Sequence, residues 1–234
     1  PGLDMLFSTG AILHAEERHA LMTNVSPYYL NFYGSTDGGG ATALFWQDPP
    51  EVASSVGRPV FGAEIDIVGE DDASLSPGEV GRIRYKHPGT ATGYYKDLEA
   101  SKEAFRKGWY YPGDLGWRDA AGFLYLAGRA KDMIIRGGVN IYPAEIEHVL
   151  SLHESVIESA VVAWQSKTFG EEIAAFVVAR LDMADANELL NWCAENLARY
   201  KLPREIFFID ELPKSGVGKV LKADLAERLT PRDD

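Results

Sequence analysis

The sequence predicts an α/β first part that ends in a small antiparallel β subdomain, followed by a compact α+β unit, with the division between residues 1–128 and 129–234. Three observations carry this expectation. An apolar run, a charged helical stretch and an aromatic strand follow one another over residues 3–33. Two segments of alternating polarity, 63–68 and 80–85, face each other across a polar turn. Beyond residue 143 the pattern runs helix, strand, strand, helix, strand, helix.

Taken in order, residues 3–8 form a strand that feeds Thr9-Gly10-Ala11, and residues 14–22, rich in charge and alanine, form a helix. Residues 28–33 are a second strand, running into a glycine-rich stretch, 34–40, that reads as loop. The alternating segments 63–68 and 80–85 are half-exposed strands around the turn 71–78. Residues 123–127 and 133–136 are strands around a turn at 128–132. Pro143 opens a helix to residue 152, as a proline at the first helical position should. Residues 156–164 and 173–179 are buried strands, 185–199 an amphipathic helix, 206–209 a last strand and 222–229 a closing helix.

With 46% apolar and 11% aromatic residues, the 234-residue chain can bury a sizeable core and divide into two domains. Its net charge of −12 argues against nonspecific binding to nucleic acid or an anionic membrane, since both need a basic face. An anionic small molecule stays open, because a few cations in a cleft set the local field. The single cysteine, Cys193, excludes an internal disulfide framework, fits a reducing cytosol and reads as a packed core thiol. No apolar run approaches a membrane span. The five histidines stand off same-face spacing and read as surface residues, not as a metal cluster.

Chemistry-bearing residues cluster in a few strings. Lys219, in the stretch from Pro213 to Val220, sits on a glycine-hinged loop, which suits a cation that reaches a phosphate transiently, or a solvated lysine. It is no Walker loop, since Pro213 stands at the first required glycine and Val220 replaces Ser/Thr. Thr36 and Asp37 lie between glycines that let a backbone approach a phosphate and a divalent ion, or that make a plain turn. Asp114, after an aromatic cluster and Gly113, suits a carboxylate accepting two hydroxyls, or a cap.

The order Tyr33-Gly34-Ser35-Thr36-Asp37, Gly108 to Asp114, Gly128-Arg129-Ala130-Lys131-Asp132, Gly137 to Glu147 and Gly218-Lys219 resembles the adenylate-forming superfamily of acyl-CoA synthetases, adenylation domains and luciferases. The resemblance covers almost the whole chain and matches the C-terminal part of such a protein: the end of a large ATP- and acid-binding domain, then a mobile lid domain. It implies an ATP-dependent acyl-CoA synthetase that joins a small carboxylic acid to CoA through an acyl-adenylate, with Mg²⁺ and ATP, in the cytoplasm and with a homodimer as the reasonable prior. The alternatives are an adenylation domain that loads a carrier protein and a noncatalytic nucleotide-binding fragment.

The resemblance also implies roles residue by residue. Tyr33 stacks on adenine, Thr36 bonds the α-phosphate and Asp37, where the family usually has glutamate, holds Mg²⁺. Asp114 binds the ribose hydroxyls with Arg129 assisting, Gly10, Ala11, Asn31 and Gly34 are nucleotide-binding, and Gly10-Ala11 with Gly38-Gly39 line the adenine and acyl floor. Lys131 is the hinge, Gly137, Gly138 and Asn140 meet the pantetheine arm of CoA, and Lys219 is catalytic together with Thr36. Ile135 and Arg136 replace a family lysine, so no lysine role carries over. The family's upstream phosphate loop has no match in this chain, so these residues by themselves are expected to be inactive.

Overall fold

The computed structural model describes residues 3–10, 13–180, 185–216 and 218–230. It falls into two units, Pro1–Ala130 and Lys131–Asp234. No helix among the described residues is long and apolar enough to cross a membrane.

The first unit carries two sheets. In the first sheet β1 (Leu6–Thr9) runs parallel to β2 (Tyr29–Ser35) across helix α1 (Ala15–Asn24), and β3 (Gly39–Phe45) and β4 (Arg58–Pro59) continue it antiparallel. Arg18, only 5% exposed, ties α1 to this sheet by donating to the Phe45 carbonyl at 2.8 Å. The expected loop at 34–40 is therefore corrected: Gly34 and Ser35 end β2, and Gly39 and Gly40 begin β3. The glycines are there because the strands crowd, with a bulge between Tyr33 and Gly34. A Cβ on Gly34 would stand 2.5 Å from the Gly39 carbonyl oxygen.

The second sheet is antiparallel. It contains β5 (Glu64–Val68), β6 (Gly81–Lys86), β7 (Phe105–Arg106), β8 (Trp109–Tyr110), β9 (Asp114–Arg118) and β10 (Leu124–Arg129), with α2 (Leu98–Ala104) before β7. The β5–β6 pairing matches the alternation in the sequence: Ile65, Ile67, Ile83 and Tyr85 point inward, and with Val56, Tyr110 and Leu124 they form the core. The turn expected at 128–132 is shorter than the sequence suggested. β10 runs through Gly128 to Arg129, absorbing an irregularity between Leu126 and Gly128, and only Ala130–Asp132 coil into a 3-10 turn.

The second unit is a five-stranded sheet with helices on both faces. It is built from the hairpin β11 (Ile134–Arg136) and β12 (Val139–Ile141), the long antiparallel pair β13 (Val156–Ser166) and β14 (Gly170–Ala179), and β15 (Glu205–Phe208), parallel to β14. Helices α3 (Pro143–Ser151) and α4 (Ala186–Asn196) and the short α5 (Lys222–Ala226) complete it. Burial on both faces explains why β13 and β14 read as continuous apolar runs. Val161, Ile173, Ala175 and Val177 pack against Ile146, Leu150, Leu189 and Cys193. Ala160, Val162, Trp164, Ala174 and Phe176 face the other way, toward Leu212 and Leu225. Asp185 caps α4, accepting from the Asn187 and Glu188 amides at 2.8 and 3.1 Å. Cys193 is the expected core thiol, fully buried, its pKa pushed up to about 11 by that burial. His153 corrects the surface expectation: its side chain is 11% exposed, with Nδ1 on the Ser155 hydroxyl at 2.8 Å and the ring edge-on to Trp192.

Candidate active site

The most defined polar constellation of the first unit joins its two sheets. Asp114 opens β9 and Arg129 closes β10, and the antiparallel register makes them direct cross-strand partners. Arg129 Nε lies 2.9 Å from Asp114 Oδ1, and its Nη1 donates to the Pro112 carbonyl at 3.1 Å. From β2, Tyr33 Oη donates to Asp114 Oδ2 at 2.6 Å. Each carboxylate oxygen thus has its own donor, and a group only 13% exposed is held in one orientation. Burial first, and the Asp114 charge second, hold the Tyr33 phenol well above the ordinary tyrosine range, so it remains a donor. Gly113, at φ +81°, makes the turn before Asp114 and accepts from the Ala130 amide at 2.9 Å. The structure joins Tyr33 to the Asp114–Arg129 pair that the resemblance had already placed on the ribose.

Thr36 and Asp37 form the turn between β2 and β3, with Thr36 exposed. A second segment grips this turn. The Ala91 amide donates to the Asp37 carbonyl at 2.8 Å, and Thr90 Oγ1 donates to the Gly38 carbonyl at 2.8 Å. Asp37 Oδ2 accepts from Tyr94 Oη at 3.1 Å and Tyr110 Oη at 3.4 Å. Burial first, then Tyr110 and Asp37, push the Tyr94 phenol up. Asp37 Oδ1 takes no hydrogen bond among the described residues.

That arrangement allows a test of the expected Mg²⁺. Among the described residues no group of three or more His, Cys, Asp or Glu could hold an ion by itself. Mg²⁺ commonly keeps its waters and substrate phosphates and takes one or two protein carboxylates. Asp37, with one oxygen anchored and one open, fits that single-ligand role. Tyr94 and Tyr110 were given no role in the sequence reading: they lie 57 and 73 residues from Asp37, and no spacing rule connects them.

The remaining first-unit residues line the same sheet. Asn31 is 3% exposed on β2, opposite Ser8 of β1, whose hydroxyl donates to Asn31 Oδ1 at 3.4 Å. Gly10 follows β1 at φ +90° with open space where a side chain would stand, and Ala11 lies outside the described residues.

In the second unit, Lys131 is exposed in the 3-10 turn at the unit boundary. Gly137 and Gly138, at φ +57° and +84°, are the two-residue turn of the β11–β12 hairpin, where both positions require positive φ. Asn140 is exposed on β12 opposite Ile135. Lys219 is exposed on a loop stitched closed at its base. Ser215 N donates to the Lys219 carbonyl at 2.8 Å, and Lys219 N donates to Ser215 Oγ at 3.2 Å. Lys214 Nζ reaches Glu158 Oε1 at 2.6 Å. The side chain of Lys219 takes no hydrogen bond or ion pair among the described residues.

Residues 1–95 match the model of the AMP-binding enzyme, and residues 145–219 match that of the AMP-binding enzyme C-terminal domain. A 2-succinylbenzoate–CoA ligase of Geobacillus kaustophilus is 41% identical over 181 residues, 77% of this chain and 36% of that protein. A long-chain-fatty-acid–CoA ligase of Salmonella typhimurium is 36% identical over 207 residues, 88% of this chain and 37% of its own length. The solved o-succinylbenzoate CoA synthetase of Bacillus subtilis, in complex with the acyl-adenylate intermediate OSB-AMP, superposes with a TM-score of 0.88 at 34% identity, covering 94% of this chain and 45% of that one. This chain therefore spans well under half the length of the relatives it matches. Two models matched in order, and relatives 36–41% identical, establish that the chain belongs to the AMP-binding, adenylate-forming enzyme family.

Proposed function

We propose that this chain works within an ATP-dependent acid–CoA ligase, which condenses a carboxylic acid with CoA by way of an acyl-adenylate and releases AMP and pyrophosphate. One observation carries the reading: Asp114 is oriented from both sides, by Tyr33 of one sheet and Arg129 of the other sheet of the first unit. A fixed, partly accessible carboxylate accepts the paired hydroxyls of a ribose, and the neutral Tyr33 and cationic Arg129 keep its charge in place. Family membership and a structural relative solved with an acyl-adenylate support the same chemistry.

In this reading the Thr36 hydroxyl, on the exposed β2–β3 turn, donates to an oxygen of the α-phosphate. Asp37 Oδ1 would hold the Mg²⁺ that accompanies ATP, and the ion would supply neutralisation of the phosphate charge. Gly34 lets β2 and β3 approach closely just before the Thr36–Asp37 turn, since a Cβ there would meet the Gly39 carbonyl oxygen. The acid's carboxylate oxygen attacks the α-phosphorus and the bond to pyrophosphate breaks, while the Lys219 ammonium stabilises the charge that develops. Lys131 is the pivot between the two half-reactions, and the Gly137–Gly138 turn with Asn140 receives the pantetheine arm of CoA as its thiol displaces AMP. CoA is favoured over a carrier protein as acceptor because both curated relatives described above are named as CoA ligases.

The test uses the full-length protein with a panel of aromatic and fatty acids. Acid-dependent exchange of pyrophosphate into ATP, followed by AMP release that requires CoA, is the expected result. Exchange without CoA-dependent release, but with transfer to a carrier protein, would refute the choice of acceptor. Absence of exchange with every acid would refute the ligase reading.

A further inference from the structure

The residue directly before the Gly137–Gly138 turn is an arginine that the mechanism above does not use. Arg136 ends β11, and its guanidinium has several partners. Nη2 donates to Glu172 Oε1 at 2.9 Å, and Nε stands in ion-pair range, 2.7 Å, of Glu172 Oε2. Nη1 donates to the Tyr200 carbonyl at 3.1 Å, and the guanidinium carbon lies 5.0 Å from the centre of the Phe169 ring. Glu172 is 4% exposed, so this ion pair is buried, and removing one partner alone would strand the other. Two backbone contacts run beside the pair: the Gly137 amide donates to the Phe169 carbonyl at 2.9 Å, and the Ile135 amide donates to Glu171 Oε2 at 2.6 Å.

The pairing of β11 with β14 is otherwise thin, a single register pair between Arg136 and Gly170. The hairpin is thus joined to the main sheet at one rung, and Arg136 is the side chain that spans the joint, reaching β14 through Glu172 and the 3-10 turn of residues 199–201 through Tyr200. A glycine pair at positive φ has no side chains with which to hold its own position. Its placement must come from its neighbours.

We propose that Arg136 is a positioning residue for the CoA half-reaction, fixing the Gly137–Gly138 turn on β14 through Glu172, Phe169 and Tyr200 so that CoA meets a preset backbone. The inference rests on the ligase reading above, and concerns the second half-reaction alone. Lysine in place of Arg136 keeps a cation opposite Glu172 but loses the planar fork that also reaches Tyr200.

The experiment compares full-length wild type, Arg136→Lys and the paired replacement Arg136→Met/Glu172→Leu, the last removing both charges so that no buried ion is stranded. Two quantities are measured: acid-dependent ATP–pyrophosphate exchange without CoA, and the KM for CoA in the full reaction. Arg136→Lys is expected to raise the KM for CoA about tenfold or more, since a displacement of the order of 1 Å is costly, with exchange unchanged within about twofold. The paired variant is expected to melt as a folded protein and to show the same raised KM. If exchange falls in parallel with CoA use, or the KM for CoA stays at the wild-type value in either folded variant, Arg136 has only a structural role and the proposal is overturned. A wild type that supports exchange yet never consumes CoA would overturn the underlying ligase reading along with it.

Discussion

Tyr33 and Asp114 meet at 2.6 Å from different sheets, 81 residues apart in sequence, and the phenol is the donor. Hydrogen bonds to a charged group contribute about 1.5–3 kcal/mol, so Tyr33→Phe is expected to raise the KM for ATP by roughly 10- to 100-fold. Asp114→Asn keeps the shape but loses the charge facing Arg129 and should cost at least as much. Steady-state kinetics at varied ATP would show this, and a change confined to the KM for the acid would contradict the ribose assignment.

The same tyrosine cluster makes stability fall at high pH. Tyr85 is fully buried and its pKa is pushed up to about 12 by burial, against about 10 for a tyrosine in an unfolded chain. The folded state therefore holds this proton more tightly. Its contribution is complete below about pH 10 and is lost as pH rises through about 12, because the unfolded state then binds fewer protons. Melting temperatures between about pH 8 and pH 12 should drop steeply over the upper range, and Tyr85→Phe should flatten that drop. An equally steep fall in the variant would assign the alkaline loss to other groups.

Asp37 presents one oxygen because Tyr94 and Tyr110 hold the other. Asp37→Asn is expected to raise the Mg²⁺ concentration needed for half-maximal adenylation by roughly tenfold, in line with the loss of a single carboxylate ligand. Tyr94→Phe frees the side chain to rotate and should produce a smaller shift in the same direction. Titration with Mn²⁺, followed by its electron paramagnetic resonance signal with ATP present, reports the same change as weaker binding. Unaltered metal dependence in Asp37→Asn would remove Asp37 from the metal site.

How much of this could be read from the sequence depended on whether a residue's partner was near in pattern. The middles of β13 and β14 were legible because both of their faces are buried, so Ala160–Trp164 and Ile173–Val178 read as unbroken apolar runs. The helix at α4 was legible from its amphipathic stripe, although it ends at Asn196 and Asp185 caps it. The β3 strand was missed because Gly39 and Gly40 look like loop, when in fact they allow close approach next to a bulge. Strands as short as β7 and β8, two residues each, have no period to detect. For the site, Asp114 and Arg129 each stood in a recognisable string, but their pairing follows from β9–β10 register with an irregularity that no count of residues reveals. Tyr94 and Tyr110 depended wholly on tertiary approach.

Gly34 tests the crowding argument directly. A methyl group there would meet the Gly39 carbonyl oxygen at 2.5 Å, and the Gly40 Cα at 3.2 Å, both backbone atoms that cannot rotate away. Gly34→Ala is expected to destabilise the first unit by about 1–3 kcal/mol and to shift the Thr36–Asp37 turn, lowering adenylation as well. Denaturant unfolding of the full-length protein gives the first quantity and pyrophosphate exchange the second. A neutral substitution would show that the two strands can separate at no cost.

The Lys219 ammonium group is exposed and takes no hydrogen bond or ion pair among the described residues, while its backbone is fixed to Ser215 in both directions. A side chain that contributes so little to folding is free to act on charge that exists only during reaction. Lys219→Ala should therefore change stability by no more than about 0.5 kcal/mol. It should reduce adenylate formation by roughly 10²- to 10³-fold, the scale seen when a donor to a developing anion is removed. Thioester formation from preformed acyl-adenylate should stay within a few-fold of wild type, since the pyrophosphate has already left. Measuring the two half-reactions separately in the full-length protein decides the matter: equal losses in both would show that Lys219 does not act on the α-phosphate step.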